Sequence, residues 1–191
     1  LPDANKEQTL NQLAGAAFGA AGQRCMALSV VVLVGAAGEW IDEIKAKAET
    51  LVISAGKHDK DLGPLISPAA KARVEHLIAT GVEEGASLIL DGRGISVEGF
   101  EQGNFVGPTI FDNVTSEMQI YQQEIFGPVL CIMRADSLDE AIELLNVKSK
   151  ANIKGDVVVG KLGVEPGASF TATCSMKGSI KNINEAKNEP K

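Results

Sequence analysis

Phe18-Gly19-Ala20-Ala21-Gly22-Gln23-Arg24-Cys25-Met26-Ala27 is the stretch on which the reading of this chain turns. A cysteine in a run of small residues, entered through Gly22 and preceded by Arg24, is placed like a nucleophile. The thiolate is the attacking form, and a free thiol with a pKa of roughly 8.5 is mostly protonated at neutral pH. A turn permitted by glycine lets backbone N–H groups converge on one spot, which helps a thiolate and later an oxyanion. Arg24 adds a positive charge if its side chain turns toward the sulfur. The competing reading makes Cys25 a small hydrophobe on a buried, alanine-rich helix, because free cysteine is among the most buried residue types.

Working outward, Glu7 to Ala21 places Leu10, Leu13, Ala14 and Ala17 at helical spacing, which predicts a helix leading into Gly22 and Cys25. Ser29 to Val34 is a β-branched run bounded by Gly35, apolar on both faces like a buried strand of an α/β sheet. Glu39 to Leu51 has Trp40, Ile41, Ile44 and Ala48 on one face of an amphipathic helix. Ser67-Pro68 predicts a second helix start, with serine at the cap and proline in the first turn. That helix ends near Gly85, and Ser87 to Leu90 is a short strand. Asp91 to Gly103 reads as a loop, with Asp91-Gly92 as turn chemistry. Phe105 to Phe111 reads as extended, and Pro108 argues for an edge or irregular section. Val129 to Met133 is a buried strand containing Cys131. Ser137 with Glu140 three residues on is a capping-box pattern that opens a helix to Leu145. Strands alternating with helices predict an α/β domain with a largely parallel sheet.

Three further segments stand in order after Cys25. They are Asp61-Leu-Gly-Pro-Leu-Ile-Ser67, Gly103-Asn-Phe-Val-Gly-Pro-Thr-Ile-Phe111 and Glu124-Ile-Phe-Gly-Pro-Val129. With Leu1-Pro-Asp-Ala-Asn-Lys6 and Gly22-Gln-Arg-Cys-Met-Ala-Leu-Ser29, they make residues 1–146 resemble the aldehyde dehydrogenase superfamily. Within it, the pattern is similar to the branch that acts on methylmalonate semialdehyde and acylates coenzyme A.

The resemblance implies the catalytic half of such an enzyme, with a small-molecule aldehyde as substrate and NAD and coenzyme A as partners in the reaction. It implies that Cys25 is the catalytic nucleophile. It implies that Glu124 binds the cofactor through the nicotinamide ribose hydroxyls and that Phe126 packs beside the nicotinamide. The chemistry agrees, since a carboxylate accepts from neighbouring hydroxyls and an aromatic face walls a planar ring. Without it, Glu124 is a surface glutamate before a buried phenylalanine and a Gly-Pro turn. Arg24 is left between two roles: holding a substrate carboxylate or tuning the thiol, or standing as an exposed basic residue. The Gly63-Pro64 and Gly107-Pro108 pairs read as backbone punctuation. His58 and His76 read as isolated histidines, and Cys131 as an inert core thiol.

Some of the family's parts have no counterpart in this sequence. No strand–Gly-x-Gly-x-x-Gly–helix unit is present, and the family's oxyanion asparagine and general-base glutamate are unmatched. The opening residues read as mid-protein, which places the cofactor-binding half upstream. The family forms homo-oligomers through a C-terminal segment that is not visible here.

Composition sets outer limits. A net charge of −7 argues against a general nucleic-acid binder, which needs excess Lys and Arg. No run approaches the roughly 18 apolar residues of a membrane helix, and no metal-ligand spacing appears. Three widely spaced cysteines suggest a reducing compartment. The resemblance implies the mitochondrial matrix in a eukaryote and the cytoplasm in a bacterium.

From Val147 the texture changes. Ala151 to Met176 reads as short strands broken by glycine, with Ile153, Val157, Val159, Leu162 and Val164 alternating with polar or small residues. This stretch resembles the closing rungs of a bactofilin, a polymer-forming β-helix protein. Residues 147–182 are therefore expected to form a short β extension, and 183–191 to be disordered. A structural protein, or a fused gene model joined near Val147, is the alternative to catalysis; transcript sequence across Asn146 to Ala151 separates these. The chain by itself is expected to bind NAD weakly or not at all by calorimetry, and full turnover with NAD and coenzyme A would refute that.

Overall fold

Asn5 opens the first helix. Its side chain accepts a hydrogen bond from the Gln8 N–H, and α1 runs over Lys6–Phe18. Such a cap satisfies one of the unpaired donors at a helix start. Periodicity predicts a helix to Ala21, but the chain leaves α1 at Gly19 (ψ 140°), and Ala20 (φ 52°) and Ala21 (φ 53°) then turn left-handed. Alanine tolerates the left-handed region at about 1–2 kcal/mol. The chain then passes through Gly22 into an irregular stretch that carries Cys25.

The computed structural model describes residues 1–58, 60–144, 152–159 and 169–176. After α1 come β1 (Val30–Val34), α2 (Ile41–Glu49), α3 (Pro68–Glu83), β2 (Ser87–Leu90), β3 (Thr109–Asp112), α4 (Gln119–Gln122), β4 (Val129–Ala135) and α5 (Leu138–Leu144). The sheet order is β1-β4-β3-β2. β1 and β3 run parallel to β4, and β2 closes the far edge antiparallel to β3. The fold is α/β with a mainly parallel sheet, as the alternation of elements predicts.

Two strands differ from their sequence reading. Val30, Val31 and Val32 are only half-buried, and Leu33 and Val34 alone are buried, because β1 lies at a sheet edge. β3 is the reverse case. It is fully buried and interior, between β2 and β4. Pro108 sits just ahead of the ladder, and Thr109 makes the first bond, its N–H donating to the Pro128 carbonyl at 2.8 Å. Proline before the first paired residue leaves the ladder intact.

The pleat sorts the core. Ile110, Leu130 and Ile132 join Leu13, Ala17 and Phe18 of α1 and Ile44 and Ala48 of α2 in one buried cluster. Successive strand residues face opposite sides, so Phe111 and Cys131 meet the other layer. There Gly81 of α3 packs against Phe111 and Ile120, and Cys131 Sγ lies 3.7 Å from the Ile120 carbonyl. Ser67 caps α3 by accepting from the Ala70 N–H, with Pro68 in its first turn. Ser137 Oγ accepts from the Glu140 N–H, but Glu140 reaches back to the Asp136 N–H rather than to Ser137, one residue off the reciprocal pattern. Along the open side of β1, an apolar groove of about 460 Å³ is lined by Leu13 and Ala16 of α1 and by Leu28 and Val31.

The chain divides into two units, Leu1–Ala141 and Ile142–Lys191. In the second, β5 (Asn152–Val159) and β6 (Ser169–Met176) pair in parallel. β5 runs unbroken through Gly155, so glycine does not interrupt the strand there. Its ladder uses backbone groups that glycine supplies as well as any residue. Leu162, Val164 and residues 183–191 lie outside the described residues.

Candidate active site

The sheet itself gathers the sequence motifs. Val30 faces Cys131 across parallel β1 and β4, and the Ser29 carbonyl accepts from the Cys131 N–H at 2.9 Å. Parallel neighbours start at the same end of a sheet, so the segments entering them lie side by side. Those segments are 22–29, with Cys25, and 124–128, with Glu124 and Phe126. The bond from Thr109 to Pro128 brings Gly107-Pro108 to the same end.

Contact between the two entering segments is backbone on backbone. A Cβ on Gly22 would lie 2.0 Å from the Gly127 carbonyl oxygen, and Gly22 has φ 67°. Glycine alone meets both conditions. The flanking side chains of the cysteine turn act as braces. Gln23 Oε1 accepts from the Ile66 N–H at 3.0 Å, tying the turn to the entry of α3. Arg24 Nη2 donates to the Gly15 and Ala16 carbonyls at 2.5 and 3.1 Å. A cation there complements the negative end of α1. The turn closes with the Ala27 N–H donating to the Arg24 carbonyl at 3.1 Å.

Cys25 stands exposed in this turn, outside any helix. The reading of it as a buried helical thiol does not describe this geometry. A cleft of about 60 Å³ is lined by Gly22, Arg24, Cys25, Glu124, Ile125 and Phe126, among others. The sequence-predicted residues Arg24, Cys25, Glu124 and Phe126 are thus brought to one place. In the second wall, Ile125 is buried while Glu124 and Phe126 are exposed on either side of it. Phe126 has φ 52° and is 38% exposed. A bulky residue at positive φ carries strain of order 1–3 kcal/mol, which surrounding contacts must hold.

Those contacts come from α3, which the sequence did not point to. Arg73 donates from Nη1 to the Glu124 carbonyl at 2.6 Å and from Nη2 to the Ile125 carbonyl at 2.5 Å. A Cβ on Gly127 would lie 2.7 Å from a Val74 methyl, so the next residue of α3 also abuts the loop. Neither Arg73 nor Gln23 carries a recognisable motif for these jobs; only the fold shows the carbonyls and N–H they meet.

The other candidates separate clearly. Burial pushes the Cys131 thiol up to about 12, so it stays protonated at neutral pH. His58 is not isolated: Ser54 Oγ lies 2.9 Å from its Nδ1, and the Phe100 ring meets it edge-on at 5.7 Å. His76 is exposed on α3. Asp91 is held below the usual carboxylate range by its side-chain hydrogen bond from Arg93, which fits a turn rather than a catalytic acid. The side chain of Cys174 lies outside the described residues.

The aldehyde dehydrogenase family matches residues 1–155. The chain belongs to that family. It is 60% identical over 147 residues to the mitochondrial methylmalonate-semialdehyde/malonate-semialdehyde dehydrogenase [acylating] of Bos taurus, covering 76% of this chain and 27% of that protein. A Sinorhizobium meliloti structure assigned as a methylmalonate-semialdehyde dehydrogenase and complexed with NAD superposes with a TM-score of 0.76 at 42% identity. That match covers 82% of this chain and 32% of the other. The methylmalonate-semialdehyde dehydrogenase DddC of Oceanimonas doudoroffii gives a TM-score of 0.73 at 36% identity, over 87% of this chain and 33% of its own. The chain therefore spans about a third or less of the relatives it matches.

Placing a methyl at the Gly22–Gly127 contact is the direct check on this site. Gly22→Ala should destabilise the fold by about 2–4 kcal/mol, from backbone overpacking plus the left-handed φ. Urea unfolding followed by circular dichroism reads that shift.

Proposed function

We propose that this chain carries the nucleophile and one cofactor edge of an acylating semialdehyde dehydrogenase. The observation that carries the reading is the exposed Cys25 lining the same cleft as Glu124 and Phe126. Cys25 Sγ attacks the aldehyde carbon and gives a thiohemiacetal, whose oxyanion takes a hydrogen bond from the Cys25 N–H. Loss of hydride from that carbon leaves a thioester on Sγ. The thiol of coenzyme A then attacks the thioester carbonyl, releasing Cys25 and carrying the acyl group away. With methylmalonate semialdehyde the substrate carboxylate also leaves as carbon dioxide, its bonding pair passing to the thioester enolate, whose α-carbon then takes up a proton from solvent.

NAD, when bound, supplies the hydride acceptor. The residues present fit one edge of it. Glu124 offers two acceptor oxygens at the cleft mouth, and Phe126 offers an exposed ring face. A cleft of about 60 Å³ takes a small carbonyl group, whereas a pocket for a drug-sized ligand runs to roughly 300–1,000 Å³. Arg24 lines the cleft beside Cys25 while its Nη2 is held on the α1 carbonyls, which supports the bracing role over a direct hold on a substrate carboxylate. The name of the bovine relative places that protein in mitochondria, and we infer the mitochondrial matrix for a eukaryotic source and the cytoplasm for a bacterial one. Homo-oligomerisation follows the same analogy. No described helix is long and apolar enough to cross a membrane.

Thiol mapping tests the reading. Iodoacetamide at pH 8 should label Cys25 in the folded chain and leave Cys131 intact until urea is added. Malonate semialdehyde at ~10 times its dissociation constant should slow Cys25 labelling about tenfold. Labelling of Cys25 that ignores the semialdehyde overturns the proposal.

A second reading draws on the parallel β5–β6 pair. Asn152 faces Ser169 and Val159 faces Met176 at one constant offset, as in stacked coils of a β-helix. That pairing favours a polymer-forming role of bactofilin type for the second unit. Sedimentation decides it: filaments that persist in Cys25→Ala support it, and monodisperse protein counts against it.

A further inference from the structure

We propose that Arg73 is a positioning residue. From outside the cleft, it holds the Glu124–Phe126 wall in the one backbone shape that presents both side chains to Cys25. The proposal rests on the semialdehyde-site reading for its functional consequence, though its geometry is independent of that reading.

Three observations meet at this point. The guanidinium grips two consecutive carbonyls, Glu124 and Ile125, through two different nitrogens. Arginine's planar fork suits such a two-point grip, and a lysine ammonium cannot reproduce it. Immediately after the gripped carbonyls comes Phe126, with its left-handed φ of 52°. An extended or helical backbone at 126 would relieve the strain and rotate the ring off the rim. Val74 then blocks Gly127 from the α3 side, while Gly22 meets Gly127 from the cysteine side. The loop is therefore pinned at Glu124, Ile125 and Gly127, on both sides of Phe126, with Arg73 supplying the directional part.

The same helix also reaches the other wall. The Ile66 N–H, just ahead of the Ser67 cap of α3, is held by Gln23, two residues before Cys25. α3 contributes no residue to the cleft lining given above, yet it is bonded to both sides of it. It works as a ruler between the nucleophile turn and the Glu124 loop. Arg73 is its contact on the Glu124 side.

The test uses the full chain and hydrogen exchange by mass spectrometry, with Arg73→Met and Arg73→Lys. Loss of two charge-assisted hydrogen bonds should speed exchange of the peptide spanning 122–129 by about tenfold or more in Arg73→Met. Arg73→Lys, which keeps the charge but makes one contact, should fall between that variant and wild type. Exchange in the rest of α3 and in α1 should stay unchanged. Protection of Cys25 by malonate semialdehyde is read in the same samples and should weaken in the order wild type, Lys, Met.

Equal acceleration across α3 and the loop, or none in either variant, overturns the positioning role. If Arg73→Met does not fold, the Arg73→Lys pattern decides alone. If wild type shows no semialdehyde protection while the loop still loosens locally, the substrate reading fails and the positioning of the wall stands. If protection persists unchanged in variants whose loop exchange is also unchanged, the substrate reading stands and Arg73 is dismissed.

Discussion

The contact of Gly22 on the Gly127 carbonyl is the constraint on which the site depends. Two backbones touch there with no side chain between them. Because β1 and β4 are parallel neighbours, their leading segments are forced to the same sheet end. Because Gly22 has no Cβ, the cysteine segment can close onto the Gly127 carbonyl, and the missing Cβ of Gly127 leaves room for Val74 of α3. A cysteine three residues after one glycine and a glutamate three residues before the other then line the same cleft. The arrangement requires no long-range ion pair. It requires the register of the sheet and the missing Cβ of Gly22, with Gln23 and Arg73 bracing the two segments.

Cys25 and Cys131 show how position decides the surroundings of one residue type. Cys25 precedes β1, in a turn braced by Gln23 and Arg24, and meets solvent. Cys131 sits two residues into β4, on the face toward α3 and α4, where burial keeps its proton on. One lies ahead of β1 and the other within its partner β4, yet one is exposed and the other is packing. A thiol becomes a reagent by being reachable at a place where charge can be accommodated.

Much of this was legible in the residues. Helix starts were written plainly: Ser67-Pro68 caps α3, and Ser137 caps α5. The sheet's class followed from alternating apolar runs and helices. The Cys25 and Glu124 motifs marked the site, and the fold brings them together. What escaped was set by tertiary neighbours. The end of α1 lies at an extended Gly19, followed by left-handed Ala20 and Ala21, which no periodicity announces. β1 has the composition of a buried strand but occupies an edge, and β3 has an edge-like proline but lies inside. Arg73 looks like any solvated helix arginine until the carbonyls of Glu124 and Ile125 are placed before it. The pairing of Ser54 with His58 is of the same kind.

The half-buried β1 has a consequence of its own. Among the described residues no strand pairs with its outer edge, and α1 reaches that flank at the Leu28 N–H, which donates to the Ala16 carbonyl at 3.0 Å, beside the groove lined by Leu28 and Val31. Such a flank is adhesive, since any extended peptide can add itself by main-chain pairing. Set against it is the excess of negative charge, which repels like molecules at long range and says nothing at contact. Whether copies of this polypeptide stay apart in solution is thus a balance between a screened repulsion and a short-range seam, and dissolved salt tilts it toward the seam.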